Sequence, residues 1–377
     1  MATKTAPPLQ RLAEFSQSVW IDYLSRDLLN NGGLARLVAE DAVVGVTSNP
    51  TIFEHALSHG EAYDAQLREL LPRGLSGKEL FLELACADVA AGCDLLRPVW
   101  EQTDGRDGYV SIEVDPNLAY DTRAQYEEAQ RLHERIARPN LFVKIPATTP
   151  GLAAIEDSIA AGRSINITLI FSLDRYAAVA RAYLEGLTRF REAGGDVSRV
   201  HSVASFFVSR VDTETDRRLE ELAAPKELQG KLGIANAKLA YAHYREVFSP
   251  QNQLWADLAA AGAHPQRCLW ASTSTKNPAY RDVLYVEELI GPETVNTMPE
   301  QTLLAFQDHG RVAATLDQGV DDAKRLLERL AEVGVDYDDV VETLEAEGIE
   351  KFARALDKLL GGLEEKRERL TAVEART

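Results

Sequence analysis

Leu141-Phe142-Val143-Lys144-Ile145-Pro146-Ala147 is a short β-branched and aromatic run with a single lysine at its middle. Alternation at period two sends Phe142, Lys144 and Pro146 to one side and Leu141, Val143 and Ile145 to the other. Apart from Lys144 both sides are apolar, which is the pattern of a strand buried on both faces, as in parallel sheets. A lysine is rarely buried without a task. Desolvation lowers its pKa and turns it into a nucleophilic amine able to form a Schiff base with a carbonyl substrate. A second reading places Lys144 at a strand end, with its long stem carrying the ammonium to solvent.

Working outward, strands alternate with helical segments on both sides of this run. Before it, Val19 to Leu24 is apolar except for Asp22, and Val43 to Asn49 runs into Pro50 and a short helix expected to stop near Gly60. Asn49 followed by Pro50 also suits the start of a helix, so Asn49 reads equally as a cap. Ser76-Gly77-Lys78-Glu79 is a capping box opening a helix through roughly Trp100. Val110 to Pro116 puts Ser111, Glu113 and Asp115 on one face and Val110, Ile112 and Val114 on the other. A helix over about 122–137 leads to the lysine strand.

After it, Thr149-Pro150-Gly151 starts a helix that Gly162 ends. Ser164 to Phe171 carries Asn166 and Thr168 on one face and Ile165, Ile167 and Leu169 on the other. Ser172 caps a long helix ending at Gly194-Gly195. The sixth strand reads from Val200 to Arg210, followed by the longest helical excursion, to about Ala261. Cys268 to Ser274 is the seventh, leading to Lys276, and Thr294 to Met298 is the eighth, with the least marked pattern. From about Ala314 the chain is helical and highly charged, with a heptad-like tail from Phe352 to Leu370, expected to pack on the outside of the main domain.

Eight strands, each followed by helix, are the pattern of an α/β (β/α)8 TIM barrel with extra helices after strand six and at the C-terminus. The expected organisation is one barrel domain over residues 1–377, with 314–377 as C-terminal helices packed on the barrel, since no low-complexity linker or internal repeat divides the chain. A doubly wound open sheet is the alternative, but the Gly-rich phosphate fingerprint after the first strand is missing.

Composition narrows the partners. The 377 residues carry a formal charge of −18, spread along the helices, and no basic run follows a phosphate backbone, so no nucleic-acid partner is expected. Any anionic substrate must be held by local positive charge. The three cysteines, Cys86, Cys93 and Cys268, fit a reducing compartment. Met1 to Gln10 lacks the apolar core of a signal peptide, and no apolar run is long enough to cross a bilayer. The expected location is cytoplasmic, with no membrane partner. The seven histidines are scattered, so neither a metal site nor a cofactor is expected.

The polar exceptions fall on different apolar strands: Asp22, Glu113, Lys144, Asn166 with Thr168, Ser205, and Ser272. In a parallel barrel the C-terminal strand ends meet at one face, so these groups converge. A lysine with two carboxylates in a water-poor pocket is what amine catalysis on a ketose needs. The amine attacks the carbonyl, a carboxylate moves protons as carbinolamine becomes imine, and the iminium is the electron sink for carbon–carbon cleavage. Taken singly, each has a plainer reading. Asp22 and Glu113 read as solvent-facing strand ends, Asn166 and Thr168 as partners of nearby backbone, Arg210 as a surface ion pair, and Lys276 as a solvated loop lysine.

Five segments carry a resemblance to a known family: Val46 to Phe53, Val110 to Pro116, Phe142 to Ala147, Ile165 to Ser172, and Trp270 to Lys276. In this order the chain resembles bacterial transaldolases, most closely the longer subfamily with extra helices, from Val19 to about Phe306. The resemblance implies a (β/α)8 barrel that moves a dihydroxyacetone unit from sedoheptulose 7-phosphate to glyceraldehyde 3-phosphate in the pentose phosphate pathway, giving erythrose 4-phosphate and fructose 6-phosphate. It also implies Lys144 as the Schiff-base lysine, Asp22 as the acid/base for cleavage, and Glu113 with Thr168 as the pair positioning a catalytic water. Asn49 and Asn166 would hold the dihydroxyacetone hydroxyls, with Thr47, Ser205 and Phe207 lining the pocket. Arg210 would bind phosphate, with Ser272 and Lys276 as companions. Shorter members of the family have a second arginine after Ser272, where this chain has Ser274, Thr275 and Lys276. A Schiff-base aldolase, a silent sugar-phosphate-binding barrel and a pyridoxal phosphate enzyme are the competing readings. Monomer and homodimer both stay open.

Overall fold

The computed structural model describes residues 6–58 and 61–374. Its strands are Gln17–Ile21 (β1), Val43–Val46 (β2), Val110–Glu113 (β3), Leu141–Pro146 (β4), Ile165–Ile170 (β5), Ser202–Phe207 (β6), Arg267–Ala271 (β7) and Thr294–Met298 (β8). They pair in parallel in sequence order, and β8 returns to β1 to close a barrel. The fold is the (β/α)8 barrel that the strand count implied.

Period two decides which side chains fill the barrel. On β4, Leu141, Val143 and Ile145 join the apolar layer between strands and helices, whereas Phe142 belongs to the interior with Trp20, Val203, Leu269 and Val295. Room for Trp20 comes from Gly45 on β2, where a Cβ would lie 2.4 Å from the indole. At the N-terminal end of the barrel Arg267 pairs with Asp107 at 3.0 Å, and Asp107 also accepts from Ser18 Oγ and Trp20 Nε1. That network fills one end. The interior therefore opens toward the C-terminal ends of the strands.

The capping box at Ser76 forms, with Glu79 N donating to Ser76 Oγ and Ser76 N to Glu79 Oε2, and it starts the helix Gly77–Gln102. Thr148 and Ser172 cap the helices Thr149–Ala160 and Leu173–Glu192 through side-chain oxygens that accept from Gly151 N and Arg175 N. The helical stop expected near Gly60 lies outside the described residues.

Four details differ from the sequence reading. First, the strands are shorter: Asp22, Asn49 and Ser272 lie just beyond their strand ends. Second, Arg210 sits in the first turn of the helix Val208–Glu221 rather than on β6, because the chain turns helical at Val208. Third, the alternation on β5 breaks at Leu169. Its backbone is left-handed, φ +58°, where the β5–β6 register shifts, so Leu169 joins the interior cluster and Ile170 takes the outward place. Such a conformation costs a branched residue about 1–3 kcal/mol and persists where surrounding packing demands it. Fourth, residues 310–319 are irregular, the last helices are Val320–Glu332 and Tyr337–Glu374, and the second does not stay on the outside. It packs on Pro50–Ser58 and passes over the open end of the barrel.

Candidate active site

The row Glu113, Lys144, Asn166 is built by strand register: Glu113 pairs with Lys144 across β3 and β4, and Lys144 with Asn166 across β4 and β5. All three side chains therefore point into the barrel at one height. Lys144 is 4 % exposed, so it does not snorkel to solvent. Its Nζ donates to Glu113 Oε2 at 3.2 Å and to the Ser48 carbonyl at 3.1 Å. Burial raises the pKa of Glu113, and the charge of Lys144 and its hydrogen bond oppose that rise.

Above this row lies a cavity of about 940 Å³ at the C-terminal mouth. Lys144, Asp22, Thr47 and Asn49 face it from one side; Thr168, Ser205, Phe207 and Arg210 from another; Ser272 and Lys276 from the loop after β7. Ten of the expected residues thus share one space. Glu113 and Asn166 stand behind its wall. Glu113 reaches it through Lys144, and Asn166 accepts from Ser205 Oγ at 2.7 Å while its amide donates to Ser111 Oγ at 3.2 Å.

Asp22 is held by a relay from two further strands. Thr47 Oγ1 donates to Asp22 Oδ1 at 2.6 Å, and Thr297 Oγ1 on β8 lies 2.7 Å from Thr47 Oγ1. With the Thr47 proton committed to Asp22, Thr297 is the donor of the second bond. Burial raises the Asp22 pKa, opposed by the Thr47 bond and then by the charges of Lys144 and Arg210. Thr168 Oγ1 faces the cavity with no partner among the described residues, free to bond a water or a substrate hydroxyl. Asn49 does cap the helix Pro50–Ser58, accepting from Ile52 N at 3.1 Å, and lines the cavity as well. The cap reading holds, and the same residue stands at the cavity.

Arg210 lies with its guanidinium carbon 4.7 Å from the Phe207 ring centroid and 5.6 Å from that of Phe352. Burial lowers its pKa, while Glu113 and Asp22 act in the other direction. Phe352, from the C-terminal helix, also lies 6.0 Å from Lys144 Nζ and packs edge-on against Phe207. Thr297, Phe352 and the neighbouring Lys351 were not singled out from the sequence. Thr297 shares the inward face of β8 with Val295, but Thr294 and Asn296 make the other face polar as well, so Thr297 does not stand out as an exception; Phe352 reads only as one apolar position of a helix.

A buried lysine between a carboxylate and a carbonyl, with a second carboxylate in the same cavity, is equipped for imine chemistry on a ketose. The family profile described as Transaldolase/Fructose-6-phosphate aldolase matches residues 19–363. The chain belongs to that family. It is 53 % identical over 356 residues to a transaldolase of Thermobifida fusca, covering 94 % of this chain and 96 % of the relative. It is 52 % identical to a transaldolase of Frankia alni, with the same coverage of each. A Streptomyces avermitilis protein named transaldolase 2 is 48 % identical over 369 residues, covering 97 % of this chain and 99 % of the relative. These full-length family relatives favour a transferase of the transaldolase type over the aldolase alternative. No helix among the described residues is long and apolar enough to cross a membrane.

Proposed function

We propose that the protein passes a dihydroxyacetone unit between sugar phosphates, from sedoheptulose 7-phosphate to glyceraldehyde 3-phosphate and back, with Lys144 as the imine-forming amine. The observation that carries this reading is the contact of Lys144 Nζ with Glu113 Oε2 at 3.2 Å on the floor of a cavity that Asp22 shares. Lys144 attacks the ketose carbonyl, and Glu113, acting through water held with Thr168, moves the protons as water leaves the carbinolamine. Asp22 takes the proton of the hydroxyl that becomes the new aldehyde as the carbon–carbon bond breaks. The bond electrons flow into the iminium, leaving an enamine that adds to the acceptor aldehyde. Asn49 and Asn166, with Thr47, Ser205 and Phe207 around them, are the residues for the dihydroxyacetone part. Arg210, Ser272 and Lys276 serve the phosphate.

The whole chain works as one unit in this reading, residues 314–377 included. A cytoplasmic location is part of the same reading, supported by the free, buried Cys86, Cys93 and Cys268. The test is borohydride reduction during incubation with fructose 6-phosphate. A reduced three-carbon adduct on the peptide holding Lys144 is expected, and Lys144→Ala should abolish turnover. An adduct on another lysine would overturn the assignment. Turnover should also require an acceptor aldehyde, whereas steady release of dihydroxyacetone without one would make the protein an aldolase.

A further inference from the structure

Arg210, Lys276 and Lys351 come from three separate parts of the chain: the first turn of the helix Val208–Glu221, the loop after β7, and the middle of the C-terminal helix. All three line the one cavity. None of them forms an ion pair among the described residues, although carboxylates are close by. Glu214 is taken by Arg217 and Arg218, and Glu350 by Arg354. Glu347 stands four residues before Lys351, the order and spacing at which a helical glutamate and lysine pair. That pair does not form.

Lys351 instead lies near Arg210 and Lys276. Partial loss of water, and then the charges of those two residues, lower its pKa. Arg210 feels the opposing charges of Glu113 and Asp22, yet the effect of Arg210 and Lys276 on Lys351 is repulsive, and a doubly charged anion placed among the three relieves it. The turn that brings Phe352 to 6.0 Å from Lys144 Nζ also places Lys351 on the cavity, so the space in which a ketose would reach Lys144 is the space this cluster lines.

We propose that Lys351 is a phosphate-binding residue that completes, with Arg210 and Lys276, a three-cation seat for the terminal phosphate, making the C-terminal helix part of the specificity machinery. The proposal rests on the sugar-phosphate reading above. Lys351 is exposed and mid-helix, and glutamine keeps the helix while removing the charge.

The test compares the full chain with Lys351→Gln and Lys351→Arg, using fructose 6-phosphate and fructose as donors and inorganic phosphate as a competitive inhibitor. Lys351→Gln should raise KM for fructose 6-phosphate and the inhibition constant of phosphate about tenfold each, the scale of one charge-assisted bond, with kcat little changed. Lys351→Arg should restore both, and turnover of fructose should not move. Unchanged KM and unchanged phosphate inhibition in Lys351→Gln would overturn the proposal, as would equal losses on fructose and fructose 6-phosphate. If the unmodified protein itself shows no preference for the phosphorylated donor, the sugar-phosphate reading fails first. A preference that survives Lys351→Gln intact defeats only the role given to Lys351.

Discussion

Glu113 and Lys144 face each other across neighbouring strands, their side chains 3.2 Å apart and each 5 % exposed. Because a backbone ladder sets this separation, the pair is held before substrate arrives. Burial favours the protonated form of Glu113, and the ammonium beside it favours the ionised one, so the carboxyl is poised to take and return a proton. Glu113→Gln should therefore slow formation of the imine, by roughly 10²–10⁴-fold if its proton transfer is general acid–base catalysis. Asp22→Asn should let the imine form at the normal rate and block cleavage. Borohydride quenching at timed intervals, with product aldehyde measured in parallel, separates the two. Accumulation of the same intermediate at the same rate in both variants would end the division of labour.

Stability should fall with rising pH because of Asp212, a carboxyl that lies outside the catalytic cavity. It sits on the helix Val208–Glu221, accepts from Gly233 N at 2.6 Å and bonds Tyr285 Oη at 2.9 Å, with Asp216 adding repulsion. Burial pushes its pKa from 3.8 up to about 7. Between those values the folded protein keeps a proton that the unfolded chain has already released. Stability is therefore lost as pH rises through this window and levels off above it. Asp212→Asn imitates the protonated acid, since its oxygen can accept from Gly233 and its amide can donate to Tyr285. Melting temperatures measured across the window should fall less steeply in the variant, which should be the more stable protein above the window. Parallel profiles would show that Asp212 does not titrate there.

Packing in the barrel interior yields a separate test. Gly45→Ala would bring a Cβ to 2.4 Å from the Trp20 ring, which is wedged among Tyr109 and Phe142 and tied to Asp107 through Nε1. The change should cost about 1–3 kcal/mol, typical of overpacking. Denaturant titration measures it. A paired Gly45→Ala, Trp20→Phe variant should recover part of the loss, and no recovery would place the strain elsewhere.

What could be read from the sequence and what could not divide along physical lines. β4 and β5 were visible because strands covered on both faces are almost wholly apolar, so Lys144, Asn166 and Thr168 stood out as exceptions. Register then follows from parallel neighbours, and that is how Glu113 comes to face Lys144. Leu169 reads as outward because a bulge leaves no mark in an alternation of apolar residues, and its φ of +58° reveals the break. Arg210 reads as a strand residue because nothing in Phe207-Val208-Ser209 announces the helix that begins at Val208. The role of the C-terminal helix was hidden for a different reason. An amphipathic pattern shows which face is buried but not what it covers, and 38 residues of helix gave no hint that Phe352 lies over a lysine more than two hundred positions earlier.

Arg210 allows the phosphate and the carboxylates to be tested with one substitution. Its guanidinium lies beside the Phe207 and Phe352 rings, which pack edge-on against each other, and these contacts restrict where its donors can point. Losing a charged hydrogen bond of roughly 1.5–3 kcal/mol should lower kcat/KM for phosphorylated substrates at least about tenfold in Arg210→Ala, with little change on fructose or dihydroxyacetone. Arg210→Lys keeps the charge but neither the fork nor the stacking, so it should recover only part. The same residue helps hold the pKa values of Asp22 and Glu113 down against burial. Without it both carboxyls should keep their protons to higher pH, and the acid limb of the kcat/KM profile on unphosphorylated donor should move upward in Arg210→Ala. Arg210→Lys should leave that limb nearly in place, because its charge remains. A loss that is equal on both kinds of donor, with the acid limb unmoved, would make Arg210 a packing residue and leave the phosphate to Lys276 and Lys351.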